Sequence, residues 1–362
     1  MYLALILLFI ILYYCSANKS NPRTIKNYIK FVTVVLILVS GLRHEAVGND
    51  TYAYMLNFDD AVQTPWSDIF SNFWDLYLNP GEEGKDPGEL VIIKAFTYIL
   101  PNARFFLFVV AAILLIPLGV FVYRNSKSLE TPCFFYVFYI TMFYPYLPNS
   151  AIRQSFALAI LLLGYLLLQK RKLIPFILLL LIATLVHKSI LITFLILPYY
   201  FINKPRLLYY ASFGLFILML FYYQYIGVYL ASQSEIYEMY ASGAYLDSAP
   251  FMVILMILGL YVLGCFGIMR DSERSNNRII YGGAAMTLVW VVLVRLNPSL
   301  IRLIAYFGPW MGIMVPLALK QWRPKDYKIF FAFILIIFVL RAITTPDNYH
   351  FMWQEMELHD RY

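Results

Sequence analysis

The chain has 362 residues, of which 61% are hydrophobic, 18% aromatic and only 14% charged, with a mean hydropathy of +0.68. A soluble domain is about half apolar and a quarter charged, so these values exclude a water-soluble globular protein and point to one integral membrane domain over residues 1–362. In a soluble protein the net charge of +7 would mark an anionic partner; in a membrane protein it also arises from the lysines and arginines that fix orientation, and nothing in the pattern calls for nucleic acid.

A spanning helix needs about 20 apolar residues. The apolar runs predict an all-α polytopic protein with about 12 transmembrane helices, near 1–17, 27–42, 102–123, 132–148, 150–169, 173–186, 188–202, 206–229, 250–269, 279–295, 300–319 and 327–344. The first run, "MYLALILLFIILYYCSA", lacks a charged n-region and a small-residue cleavage site and reads as a retained span. Cys15, Cys133 and Cys265 are odd in number and widely separated, which argues against a disulfide framework or a metal site.

After the second run comes "GLRHEAVGNDTYAY", where Arg43, His44, Glu45 and Asp50 crowd the mouth of a span. Residues 43–101 read as the one sizeable extramembrane loop. Its Tyr52, Tyr54, Trp66, Trp74 and Tyr77 lie among Asp59, Asp60, Asp68 and Asp75, and suit either sugar stacking or an interfacial aromatic belt. "NPGEEGKDPG" (79–88) is a turn-rich break, and 87–100, closed by Pro101, reads as a helix lying in the interface.

Further on, "LPNSAIRQSFALAILLLGYLLL" opens with Pro148 and a capping residue, Asn149 or Ser150. Ser150, Ala157 and Gly164 recur every seven residues and form a small-residue seam; Arg153 falls on it and should face protein, with Gln154 beside it. The run Leu173–Phe201 is flanked by basic clusters at both ends, so it reads as a hairpin with His187-Lys188-Ser189 at its tip. Its first arm, about 14 residues at 1.5 Å each, is too short to cross about 30 Å of hydrocarbon, which implies a recessed, wet cavity. In "VRLNPSLIRLIAYFGPW", Arg295 ends one span, Arg302 opens the next, Tyr306 follows one turn below on its face, and Pro309 should kink that helix.

Orientation follows from the connections. Lys19, Arg23, Lys26, Lys30, Arg124, Lys127, Lys170, Arg171, Lys172, Lys204, Arg206, Arg270, Arg274, Arg278, Lys320, Arg323, Lys325 and Lys328 all fall on alternate connections, making 18 of the 28 basic residues. The positive-inside rule puts that side in the cytoplasm and both termini outside. Arg43, Arg104, Arg153, Lys188, Arg295, Arg302 and Arg341 then sit at outer mouths or inside spans. A cation within a span costs about 2.5–3.5 kcal/mol on insertion scales and is a functional hypothesis by default. Guanidinium groups gathered in a low-dielectric cavity suit phosphate. No P-loop, H-E-x-x-H or G-x-S-x-G motif is present, and the phosphate at hand on the outer face is the head group of a lipid carrier.

"GLRHEAVGNDTYAY", "NSAIRQSFALAILLLGYLLLQKRK" followed by "ATLVHKSILI", and the late "IRLIAYF", in this order, resemble the EpsG family of Wzy-type polysaccharide polymerases. The resemblance runs from about 41 to 320. It implies a GT-C-like membrane architecture in the bacterial cytoplasmic (inner) membrane with an active site facing the extracytoplasmic side. The implied activity is a metal-independent, cofactor-free glycosyltransferase that joins undecaprenyl-pyrophosphate-linked oligosaccharide repeat units into capsule, exopolysaccharide or O-antigen chains. Donor and acceptor are both lipid-linked; a flippase and a chain-length regulator are the proteins such an enzyme would work beside. Arg43, Gly48, Asp50, Tyr54, Arg153, Gln154, His187, Arg302 and Tyr306 match the family's recurrent polar positions.

With that chemistry, Arg153 and Arg302 are expected to stabilise the departing pyrophosphate. His187 is the first choice and Asp50 the second for general base. Arg43, Gln154, Lys188, Arg295, Tyr306 and Tyr54 are expected around the substrate. A flippase or transporter of lipid-linked sugar would also want an outward cationic cavity, although it should carry internal repeats. A membrane O-acyltransferase is a further alternative, since one histidine at a span mouth fits it too.

Overall fold

A computed structural model describes residues 1–71, 73–78, 87–231 and 251–358; the turn-rich stretch 79–86 lies outside the described residues. Among these the only β-pairing is an isolated antiparallel bridge between Arg43 and Phe351, and the regular structure is otherwise helical. The helices are α1 (Tyr2–Cys15), α2 (Pro22–Gly41), α3 (Thr51–Gln63), α4 (Trp66–Ser71), α5 (Phe73–Leu78), α6 (Gly88–Thr97), α7 (Ala103–Arg124), α8 (Glu130–Met142), α9 (Ile152–Gln169), α10 (Leu173–Val186), α11 (Leu197–Phe201) and α12 (Pro205–Ala231). Helices Phe251–Arg270, Arg278–Val291, Ile301–Ile304, Gly308–Leu319 and Pro324–Thr344 follow.

Seven of the helices are long and apolar enough to cross a membrane, or eight if the pair Pro298–Ile304 and Gly308–Leu319, bent by 65°, makes one span. The chain is therefore a multi-pass helical membrane protein. The expected count of twelve is not reached by helix length. Helices α1 and α10 have 14 residues each and α8 has 13, which at 1.5 Å per residue is about 20 Å against about 30 Å of hydrocarbon. The run Leu173–Phe201 is not one helix. His187 is extended (φ −159°, ψ 108°) and the next stretch, Lys188–Ile196, is 3-10.

Local chemistry explains several boundaries. Pro22 sits in the first turn of α2, and Asn21 caps it by accepting the Arg23 N–H at 2.8 Å. Asn102 caps α7 in the same way through Phe105 N–H at 2.9 Å. The cap expected for α9 is not used: its N-cap is Ala151, with no side-chain bond. Asn149 is engaged elsewhere, its Oδ1 accepting from Ser40 Oγ at 2.8 Å and its Nδ2 donating to the Tyr144 carbonyl at 3.1 Å. Pro309 does not kink a helix either. It occupies the first turn of Gly308–Leu319, where a missing N–H costs nothing, and the bend falls before it.

The chain forms two compact units, one of Met1–Leu191 with Phe338–Tyr362 and one of Ile192–Ile337. In the first, the connections after α1, α7 and α9 meet at one end. Leu129 N–H donates to the Lys19 carbonyl at 2.8 Å, and Gln169 Nε2 donates to Asn125 Oδ1 at 2.7 Å. These are the basic connections Lys19–Lys30, Arg124–Lys127 and Lys170–Lys172. At the other end of α2 and α9, Ser40 bonds Asn149, and the Tyr2 N–H donates to Asp347 at 2.9 Å. The second unit repeats the arrangement. Arg206 donates to the Ile268 carbonyl at 3.4 Å, Arg278 donates to the Tyr200 carbonyl, and Arg270 stacks on Trp322 at 5.5 Å. Within each unit, then, basic connections cluster at one end, as the alternation of charge along the sequence requires.

Candidate active site

The candidate site lies at the end of the first unit away from its basic connections. Its base is an apolar cluster in which Tyr54, Phe58 and Ala61 of α3 pack with Ile93 of α6, Phe106 and Val110 of α7, Ile152 and Phe156 of α9, and Val186 of α10.

Helix α6 is pinned to its neighbours at three points. A Cβ on Gly88 would stand 2.4 Å from the Leu185 carbonyl oxygen, so only glycine allows α6 to start against the last turn of α10. Lys94, buried, donates from Nζ to the Ala61 and Val62 carbonyls at 2.8 and 3.2 Å. Those are the final carbonyls of α3, where a cation is favoured by unsatisfied backbone oxygens and the helix dipole. The third point is an ion pair: Glu89, in the first turn of α6, places Oε2 3.3 Å from Arg153 Nε in the first turn of α9.

Of this pair the acid is inside and the base outside, with 7% and 31% of their side chains exposed. Arg153 also acts on the hydroxyl of the buried Tyr54. Burial pushes the Tyr54 phenol above its ordinary pKa, Glu89 and Asp50 adding to the rise and Arg153 opposing it, so Tyr54 stays a neutral hydroxyl. Gln154, beside Arg153, is buried. Residues Asp50, Tyr54, Gln154 and Arg153, far apart in sequence, thus belong to one neighbourhood.

His187 follows the α10 turn against which Gly88 rests and is half-buried. Its N–H closes the helix by donating to the Ala183 carbonyl at 2.9 Å. Lys188 donates to the Tyr77 carbonyl and lies 4.6 Å over the Tyr77 ring, whose hydroxyl meets Thr184 Oγ1 at 3.2 Å. The tip of α10 is therefore tied to the segment 66–97 that precedes it in sequence.

Arg43 occupies a different position from the rim expected of it: it is 0% exposed. Its Nη1 donates to the Ser40 carbonyl and to Ser40 Oγ at 3.2 Å, and its Nε to Thr51 Oγ1 at 3.4 Å. Nη2 is buried with no hydrogen-bond partner, and no carboxylate lies within ion-pair reach among the described residues. Burial lowers the Arg43 pKa to about 10, opposed by the hydroxyls of Tyr144, Tyr349 and Tyr2, so the side chain remains charged at neutral pH. The segment 349–352 closes over it: His44 N–H donates to the His350 carbonyl and Met352 N–H to the Leu42 carbonyl, both at 2.8 Å, while Tyr349 donates to the Val39 carbonyl. Nearby, Gly48 takes φ +90°, and a Cβ there would meet the Asn149 carbonyl oxygen at 2.3 Å. Arg104 pairs with Glu45 at 2.7 Å.

The other expected residues belong to the second unit. Arg295 closes the 3-10 turn Val292–Arg295 and lies 5.0 Å over Tyr223. Asn297 caps the next turn by accepting Ser299 N–H at 2.8 Å. Arg302, half-buried, is in the short helix Ile301–Ile304, whereas Tyr306 is wholly buried in the break before Gly308. The helix that holds Arg302 therefore ends before Tyr306.

Glu89 is the participant that the sequence did not single out. Reading 87–100 as an interfacial helix assigns both Glu89 and Lys94 to water, where neither needs a partner. The available signal was the pair itself, two opposite charges in the otherwise apolar "GELVIIKAFT", which are costly if that helix packs inside the protein.

Searches of curated proteins and of solved structures found no match. A family model, described as the EpsG family, matches residues 26–354, a range that takes in the α3–α6–α9 cluster, the α10 tip, Arg43, Arg295 and Arg302. The match covers nearly the whole chain, and the chain belongs to the EpsG family.

Proposed function

We propose that this protein is a polysaccharide polymerase, a glycosyltransferase that joins lipid-linked oligosaccharide repeat units on the outer face of a bacterial cytoplasmic membrane. The donor is a growing chain on undecaprenyl pyrophosphate, and the acceptor is the non-reducing end of a new unit on the same kind of carrier. A base takes the proton of the acceptor hydroxyl, its oxygen bonds to the anomeric carbon, and the carbon–oxygen bond to the pyrophosphate breaks, with the electron pair leaving on the phosphate. Charge thus grows on the leaving group, and fixed cations stabilise it more in the transition state than in the ground state. This electrostatic role needs no metal.

The observation that carries the reading is the Arg153–Glu89–Tyr54 cluster. An arginine stands partly exposed beside a buried acid, in a chain of this family, at the end remote from the basic connections. In the proposed topology of about twelve membrane segments that end is extracytoplasmic, together with both termini. Arg153 engages the pyrophosphate, Lys188 adds positive potential, and Gln154 and Tyr54 line the site. His187 or Asp50 serves as base.

Reconstitution with a lipid-linked repeat unit, followed by sizing of the product, tests this. The proposal expects a ladder of chain lengths with one lipid pyrophosphate released per bond formed. Single units crossing the bilayer without lengthening would make the protein a flippase instead, and acyl transfer to the sugar would make it an O-acyltransferase. His187→Ala tests the base: loss of polymer with a displaced pH profile assigns the role to His187, and retained polymer with an unchanged profile points to Asp50 or to substrate-assisted chemistry instead.

A further inference from the structure

We propose that Glu89 is a positioning residue that presents Arg153 to a lipid diphosphate, an inference that rests on the role given to Arg153 above. The asymmetry of the pair points this way. The carboxylate is nearly enclosed while the guanidinium is about one-third exposed, at 7% and 31%, so an anion arriving from outside meets the arginine and not the acid. A carboxylate taken out of water costs several kcal/mol unless it is paired. Glu89 therefore holds a cation beside it whether or not substrate is present, and Arg153 is the cation within reach.

Glu89 is itself well fixed. The preceding residue, Gly88, is pressed against the Leu185 carbonyl, and Lys94, further along the same helix, is bonded to the end of α3. The acid also lies in the first turn of α6, where the helix N-terminus favours negative charge. It contacts Arg153 through Nε. Anchoring a guanidinium at Nε sets the orientation of its plane, and a planar fork is the feature that recognises phosphate oxygens bidentately. Tyr54, on α3, lies close enough to the same guanidinium for Arg153 to oppose the rise of its pKa. An untethered arginine at a span mouth would sample many rotamers, and positional errors of about 1 Å can cost about a hundredfold in rate.

Acting through Arg153, Glu89 should lose its effect when Arg153 is gone, which a double-mutant cycle reads directly. The full-length protein in lipid nanodiscs is compared as wild type, Glu89→Ala, Glu89→Gln, Arg153→Ala and Glu89→Ala/Arg153→Ala. Two readouts are taken: polymerisation per folded molecule, and affinity for undecaprenyl pyrophosphate alone. Glu89→Ala is expected to lower kcat at least tenfold with KM changed less than threefold. Glu89→Gln, nearly isosteric and retaining an oxygen for Nε, should recover part of that loss. The double variant should be no slower than Arg153→Ala, and the affinities should follow the same non-additive pattern. Losses that multiply in the double variant, a kcat unaffected by Glu89→Ala, or a Gln variant no better than Ala would each overturn the proposal. If no protein, wild type included, makes polymer, the polymerase reading fails; coupling between Glu89 and Arg153 in lipid pyrophosphate affinity would still be measurable and would decide this one.

Discussion

Arg43 and Arg153 stand at the same end of the same unit, and they are opposites. Arg43 is entirely enclosed, bonded to a serine carbonyl and two hydroxyls, and covered by the segment 349–352. Arg153 is one-third exposed and paired with a buried carboxylate. A buried cation among neutral oxygens cannot exchange partners without opening the fold, and it ties α2, the start of α3 and residues 349–352 into one piece. A cation paired at its inner edge and open at its outer one can take an anion by a small shift. Both are arginines beside span ends, so residue type and place in the sequence do not separate the enclosed cation from the open one; burial and the charge of the partner do.

Three substitutions would break or sharpen that contrast. Arg43→Ala should have the largest effect on stability. It empties a buried site and strands the polar groups around it, at about 2–4 kcal/mol. A thermal midpoint lowered by several degrees in detergent is expected, with activity per folded molecule kept within threefold. Unchanged stability with lost activity would move Arg43 to the reactive class. Gly88→Ala comes next: overpacking against the Leu185 carbonyl costs about 1–3 kcal/mol and displaces Glu89. Loss of polymer is expected to exceed the loss of folded protein, as measured on the same preparations. Tyr349→Phe should be mildest. It removes the hydroxyl bond to the Val39 carbonyl, worth about 1 kcal/mol, and a small fall in thermal midpoint without change in activity is the expected result.

The helical membrane class, the order of the helices and the alternation of basic connections were all legible in the sequence, because apolar length and positive charge are local properties. Arg153 was legible too, since its place on a small-residue seam implied a protein neighbour. Its partner was not. Glu89 acquires meaning only when α6 docks on α9 and α10, and that docking depends on a glycine whose neighbour is 97 residues away. Arg43 was misplaced for the same reason: the segment that buries it comes from residues 349–352, and the Tyr349–Val39 bond closes over 310 residues of sequence. Asn149, a strong helix cap by residue type, is drawn instead into the Ser40 and Tyr144 bonds. Pro309, a helix breaker by composition, starts a helix because the break falls just ahead of it. Each of these outcomes was decided by a competing tertiary partner.

The most direct measurement of the central claim is the product ladder made by Arg153→Ala, reconstituted with lipid-linked repeat units at the same amount of folded protein as wild type. A reaction centre at Arg153 predicts a rate of bond formation per folded molecule lowered by about 10²–10³, the range for removing one preorganised donor to developing charge, beyond any fall in folded yield from leaving the Glu89 carboxylate unpaired. A ladder of normal length formed at the normal rate would contradict it.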